Sequence, residues 1–113
     1  MNLEELKEKL AVSEIELTKH VHERIQDKRR KINYSQVIFL IKNQKELYKF
    51  QEQRARNPQE KKFKLWFKLN YLYDMNIYII INEEKGLNRL MVISAHKVKR
   101  RIQQQINKNE NKN

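Results

Sequence analysis

Apolar residues first recur at helical spacing. Leu3, Leu6 and Leu10 share one helical face, and Asn2 with Glu5 has the spacing of a capping box, which together predict a short helix over about 2–11. Ser13 and Glu16 repeat that spacing and would start a helix at residue 14. Glu14-Ile15-Glu16-Leu17 also alternates as a strand does, and Thr18 would then cap the next helix. A short extended piece over 13–17 is the favoured reading. From Thr18 to about Arg30, Leu17, Val21 and Ile25 step by four, and Lys28-Arg29-Arg30 closes the last turn as a helix dipole prefers. Asn33-Tyr34-Ser35 recaps the chain, and Val37, Ile38, Leu40 and Ile41 form the buried face of a helix ending near Asn43. Residues 44–61 read as an amphipathic stretch followed by a polar, basic loop around Arg54, Arg56 and Asn57-Pro58.

The period then changes to two. Phe63, Leu65, Phe67 and Leu69 face one way, and Lys62, Lys64, Trp66, Lys68 and Asn70 the other. Met75 to Asn82 is apolar on nearly both faces, as in a central strand. Residues 82–86 form a hairpin connection that includes the chain's one glycine, Gly86, and a third strand runs from Leu87 to about His96. Lys97 onward reads as a short basic helix or arm that passes into a polar tail without fixed structure. Helices followed by a meander predict an α+β fold, with N-terminal helices packed on a three- to four-stranded antiparallel sheet. The expected organisation is an N-terminal helix over 1–12, the α+β domain over 13–101 and a tail over 102–113.

Charge changes the picture more than overall composition does. Lys and Arg number 25 against 14 Asp and Glu, a net of +11. Residues 1–17 carry a net of −3, residues 18–72 a net of +10 and residues 73–113 a net of +4. A field concentrated in one stretch steers polyanions, and each phosphate it neutralises releases condensed counterions. Nucleic acid is therefore the expected partner, RNA before DNA. The alternative is a lysine- and asparagine-rich background composition, to which the 12 asparagines point. No apolar run reaches the roughly 20 residues of a bilayer span, so no membrane partner is expected. With no cysteine and no signal-like N-terminus, the expected location is the cytoplasm.

Three constellations are candidates for chemistry. His20 and Arg24, four apart, share one helical edge. There an imidazole is suited to take a proton from a ribose 2′-hydroxyl and a guanidinium to grip the adjacent phosphate. The plain alternative is a boundary histidine and a solvated arginine. Lys62, Lys64, Trp66 and Lys68 interleave cations with an aromatic on one strand face, offering phosphate contacts and a stacking surface, unless a helix or the C-terminal arm covers Trp66. Ser94 and His96, followed by Lys97, Lys99, Arg100 and Arg101, could form a phosphate site at a strand end, or simply a solvated terminus. Apart from the turn residues Glu83 and Glu84, the strand region has no clustered carboxylates for a two-metal site, and the sequence has no phosphate-cradling glycine loop and no zinc spacing. No metal and no cofactor is expected.

Several segments resemble small domains of the barnase–EndoU–colicin–RelE-like superfamily. They are Leu17 to Ile25, with His20 and Arg24; Ile32 to Val37; Ile77 to Ile81; and Met91 to His96. The ending Ile93-Ser94-Ala95-His96-Lys97-Val98-Lys99-Arg100-Arg101 is similar to that of BrnT-type toxins, which have Arg where this chain has His96. The resemblance covers about residues 14–101. It implies a RelE/barnase-like fold, metal-independent RNA cleavage and an antitoxin protein as partner, with His20, Arg24 and Ser94 as the matching site residues.

The expected function is thus a toxin-like ribonuclease. His20 or His96 deprotonates the 2′-hydroxyl and the other protonates the leaving oxygen. Arg24 and Lys64 stabilise the phosphate, and Ser94 orients it. Two alternatives stand beside it. One is a non-catalytic nucleic-acid-binding protein using Arg54, Arg56, Lys62, Lys64, Trp66, Lys68, Lys97, Lys99, Arg100 and Arg101. The other is a protein-interaction module of a toxin–antitoxin-type system.

Overall fold

The computed structural model describes residues 1–17, 33–84 and 87–100. The expected helix from Thr18 to Arg30, the glycine of the hairpin connection and the tail beyond Arg100 lie outside the described residues. So do three of the candidate site residues, His20, Arg24 and Arg101.

The chain opens with helix α1, Leu3–Val12. Asn2 caps it, its side-chain oxygen accepting from the Glu5 amide at 2.8 Å. Ser13 is the C-cap of α1, not the start of a second helix: its hydroxyl donates to the Lys9 carbonyl, one of the carbonyls the helix end leaves unpaired. Strand β1, Glu14–Leu17, follows directly, with Ile15 and Leu17 against the core and both glutamates outward. Helix α2, Tyr34–Asn43, is capped by Asn33, which accepts from the Ser35 amide at 2.9 Å. It ends at Gln44 in the left-handed region (φ 57°), whose amide donates to the Leu40 carbonyl.

Four long strands follow: β2 Leu47–Gln53, β3 Glu60–Lys68, β4 Tyr73–Glu84 and β5 Leu87–Lys99. They form an antiparallel meander, and β1 joins its far edge alongside β5, giving the order β1-β5-β4-β3-β2. The protein is therefore α+β, but the sheet has five strands and is mixed, because β1 pairs with β5 in parallel. The expected antiparallel sheet of three to four strands corresponds to the meander β2–β5, with β1 added as a fifth, parallel strand, and two segments differ from expectation. Residues 47–53 are a strand where an amphipathic stretch and loop was expected. Lys97–Lys99 continue β5 instead of starting a helix, because β4 is long enough to offer pairing partners as far as Tyr73.

The core lies between the two described helices and one sheet face. Leu6 and Leu10 of α1 and Val37, Leu40 and Ile41 of α2 pack over Phe63, Leu65 and Phe67, the β4 residues Met75, Ile77, Ile79 and Ile81, and Leu90, Val92 and Ala95 of β5. Burial of each of the larger apolar side chains among them contributes about 1.5–3 kcal/mol, and together these contacts orient the sheet. Since residues alternate along a strand, the same packing turns every intervening side chain to the second face.

Among the described residues no helix is long and apolar enough to cross a membrane.

Candidate nucleic-acid interface on the second sheet face

Register decides which residues meet on the second face, because directly paired residues point to the same side. Lys49 of β2, Trp66 of β3, Asn76 of β4 and His96 of β5 form one row across the sheet. Gln51, Lys64, Tyr78 and Ser94 form the next, and Gln53, Lys62, Ile80 and Met91 the one after. Lys68, Asp74 and Val98 make a row at the other end. Lys64, Ser94 and His96, three of the five residues of the expected catalytic set, thus sit in adjoining rows of β3 and β5, with β4 between them.

The side chains interact. The Lys64 ammonium lies 4.5 Å from the centre of the Trp66 ring and 5.6 Å from that of Tyr78. The Lys49 ammonium lies 4.7 Å from the same Trp66 ring. Each such contact contributes about 0.5–2 kcal/mol. The rings of Tyr78 and His96 meet edge to face, with centroids 6.1 Å apart. Of the two readings of Trp66, exposed platform or covered ring, the structure has the indole covered. Trp66 is only 5% exposed, with two lysines against it. Its evident action is to gather two ammonium groups beside one ring, where like charges would otherwise separate. Cations held in place lose less freedom when a phosphate arrives, so binding costs less.

The remaining basic candidates separate into three groups. Arg54 and Arg56 lie between β2 and β3, where Arg56 pairs with Glu60 at 3.2 Å. With Lys62 they line a cavity of about 300 Å³ whose other walls are Ile80, Met91 and Ile93. Lys97 and Lys99 pair with Met75 and Tyr73, on the same side as buried Ala95, and so lie on the helix side of the sheet. They are not joined to Ser94 and His96 as a continuous basic helix would have joined them. The Lys97 ammonium rests 4.5 Å from the centre of the Tyr73 ring.

Arg100 turns inward. Its Nε donates to Asp74 Oδ1 at 2.9 Å, and its Nη2 and Nη1 donate to the Asn70 and Tyr71 carbonyls at 2.7 and 3.2 Å. The Tyr48 hydroxyl donates to the other Asp74 oxygen. Asp74 is fully buried, and this network ties the end of β5 to the β3–β4 connection. Burial, with the Asp74 carboxylate beside it, pushes the Tyr48 phenol well above its ordinary pKa.

No local sequence signal singles out Lys49, Asn76 or Tyr78. Tyr78 and Asn76 sit in a stretch that is apolar on nearly both faces, although Asn76, Tyr78 and Asn82 fall on one face with Ile80 between them. Lys49 lay in a segment not read as a strand.

Among the described residues no group of three or more His, Cys, Asp or Glu side chains could hold a metal ion. The fold and the face define an α+β domain with a cationic, aromatic-bearing sheet surface. Comparison with protein-family models, with curated proteins and with solved structures finds no match for the chain.

Proposed function

We propose that the protein binds RNA across the second sheet face and cleaves it there without a metal. The observation that carries the reading is the adjacency of Lys64, Trp66, Tyr78, Ser94 and His96 on three neighbouring strands. Lys49 and Lys64, held against Trp66, take the phosphates. Ser94 contributes a hydroxyl to orient the scissile one. His96 takes the proton of the 2′-hydroxyl as that oxygen attacks phosphorus, and the bond from phosphorus to the 5′-oxygen breaks, leaving a 2′,3′-cyclic phosphate. The leaving oxygen needs a proton, a role assigned to His20, with Arg24 on the phosphate. The resemblance to toxin ribonucleases adds an antitoxin protein as partner.

A second reading is binding without turnover, which needs only the cations Lys49 and Lys64 held against Trp66. Purified protein incubated with mixed single-stranded and structured RNA in EDTA separates the two readings. Cleavage is expected, and a positioned base contributes about 10²–10⁴-fold, so His96→Ala should reduce the rate by that order while RNA is still bound. Cleavage unchanged in His96→Ala removes His96 from the mechanism. Salt-sensitive binding without cleavage by the wild type leaves the binding reading alone.

A further inference from the structure

The cavity beside Arg54, Arg56 and Lys62 is not part of the chemistry assigned to His96. Its composition is two-sided. Ile80, Met91 and Ile93 make an apolar floor, and the three cations stand around it. The floor is made by strand geometry. Ile80 occupies a second-face position of β4 that Asn76, Tyr78 and Asn82 otherwise fill with polar groups. Ile93 is the extra residue where pairing shifts between Tyr78–Ser94 and Ile79–Val92. A bulge of this kind re-aims a side chain, and here it brings Ile93 beside Met91 and Ile80. Met91 is exposed and Ile93 half-buried, while Ile80 is buried beneath them, so the floor is open at Met91 and Ile93.

We infer that this cavity is a subsite for one nucleotide unit of a bound strand, its base on Ile80, Met91 and Ile93 and its phosphate among Arg54, Arg56 and Lys62. The inference rests on the RNA reading of the sheet face and deepens it. Three features support a nucleotide. The volume of about 300 Å³ stands at the small end for ligand sites, suited to one flat group. Apolar side chains accept the face of a base, and a methionine thioether adds favourable contact with an aromatic ring. Among the described residues no carboxylate pairs with Arg54 or Lys62, and no acid lines the cavity. The position fits too. The Lys62–Ile80–Met91 row is two residues along β3 and β4 from the Lys64–Tyr78–Ser94 row, and three along the bulged β5, about 6.7 Å by strand rise on β3 and β4, so one strand of nucleic acid can occupy both.

The test uses the full chain, a fluorescently labelled single-stranded RNA, and adenosine 5′-monophosphate and inorganic phosphate as competitors. The monophosphate should displace the RNA at concentrations at least about tenfold below those of inorganic phosphate, a difference of about 1.4 kcal/mol. Met91→Glu and, separately, Arg54→Ala should each weaken monophosphate binding by about fivefold or more. Arg54 is exposed between strands, so its variant serves if Met91→Glu fails to fold by circular dichroism. RNA binding with the monophosphate no better than phosphate, or with both variants unchanged, overturns the subsite and leaves the sheet-face reading. Monophosphate binding without RNA binding, read directly by calorimetry, removes the sheet-face reading and overturns the strand subsite in favour of a site for a free nucleotide. Displacement by a poly-glutamate peptide as effective as that by the monophosphate overturns the nucleotide assignment in favour of an acidic protein segment.

Discussion

The Lys64 ammonium stands 4.5 Å from the centre of the Trp66 ring, two residues away on the same strand face, and Lys49 approaches the same ring from β2. The ring therefore positions charge, and charge and ring are separable by mutation. Lys64→Ala should weaken RNA binding and lower the slope of log affinity against log salt by about 0.7, the loss of one phosphate contact on a single strand. Trp66→Leu should weaken binding while leaving that slope unchanged, because both lysines remain. Anisotropy titrations at several salt concentrations check both. Equal slopes for wild type and Lys64→Ala would show that Lys64 touches no phosphate.

The Asp74 carboxylate, fully buried, is held by Arg100 and Tyr48. Removing Asp74 leaves Arg100 a quarter exposed and still bonded to backbone carbonyls, so the cost lies below the roughly 3–5 kcal/mol of stranding a buried charge. Asp74→Ala should lower the urea midpoint accordingly. Tyr48→Phe, which removes one hydrogen bond, should cost about 1 kcal/mol.

Tyr48 also sets an alkaline limit. Its phenol is raised above the ordinary 10.0 by burial first and by the Asp74 hydrogen bond second. The folded protein thus retains a proton that the unfolded chain releases. The corresponding stability is complete below pH 10 and declines as pH rises further. Denaturant midpoints between pH 9 and 11.5 (a range spanning about one and a half units above and one below an ordinary tyrosine) should fall less steeply for Tyr48→Phe than for the wild type.

The acid side has its own reporter. Glu83 pairs with Lys9 of α1, and its carboxyl is held below the ordinary 4.5 by that hydrogen bond and charge. Its contribution is present above pH 4.5 and is lost as pH falls through the lowered value. Both side chains are substantially exposed, so Glu83→Gln should cost less than about 1 kcal/mol at neutral pH and make the acid-side decline slightly shallower.

Helix α1, helix α2 and the outline of β3 are legible in the chain because their signals are local: Asn2 and Asn33 cap within three residues, and Phe63, Leu65 and Phe67 alternate without a break. Strand β2 is not legible in the same way. It is an edge strand that buries Leu47 and only partly buries Phe50, and a register shift between Leu47 and Lys49 breaks the period. The end of β5 is hidden for a different reason. Val98 and Lys99 have no strand signal of their own and extend only because Asp74 and Tyr73 pair with them.

The candidate site divides along the same line. Lys62, Lys64, Trp66 and Lys68 share a face by alternation alone, and Ser94 and His96 share one likewise, since each set lies on a single strand. That the two sets share the same face, with Tyr78 and Asn76 between them, follows from cross-strand register. The burial of Trp66 against two lysines, and the inward turn of Arg100 onto Asp74, depend on partners from other strands. Alternation along one strand is a property of the backbone and needs no partner. Which strands adjoin, and what a side chain meets there, is decided only when the helices select the face to bury and the meander sets the register.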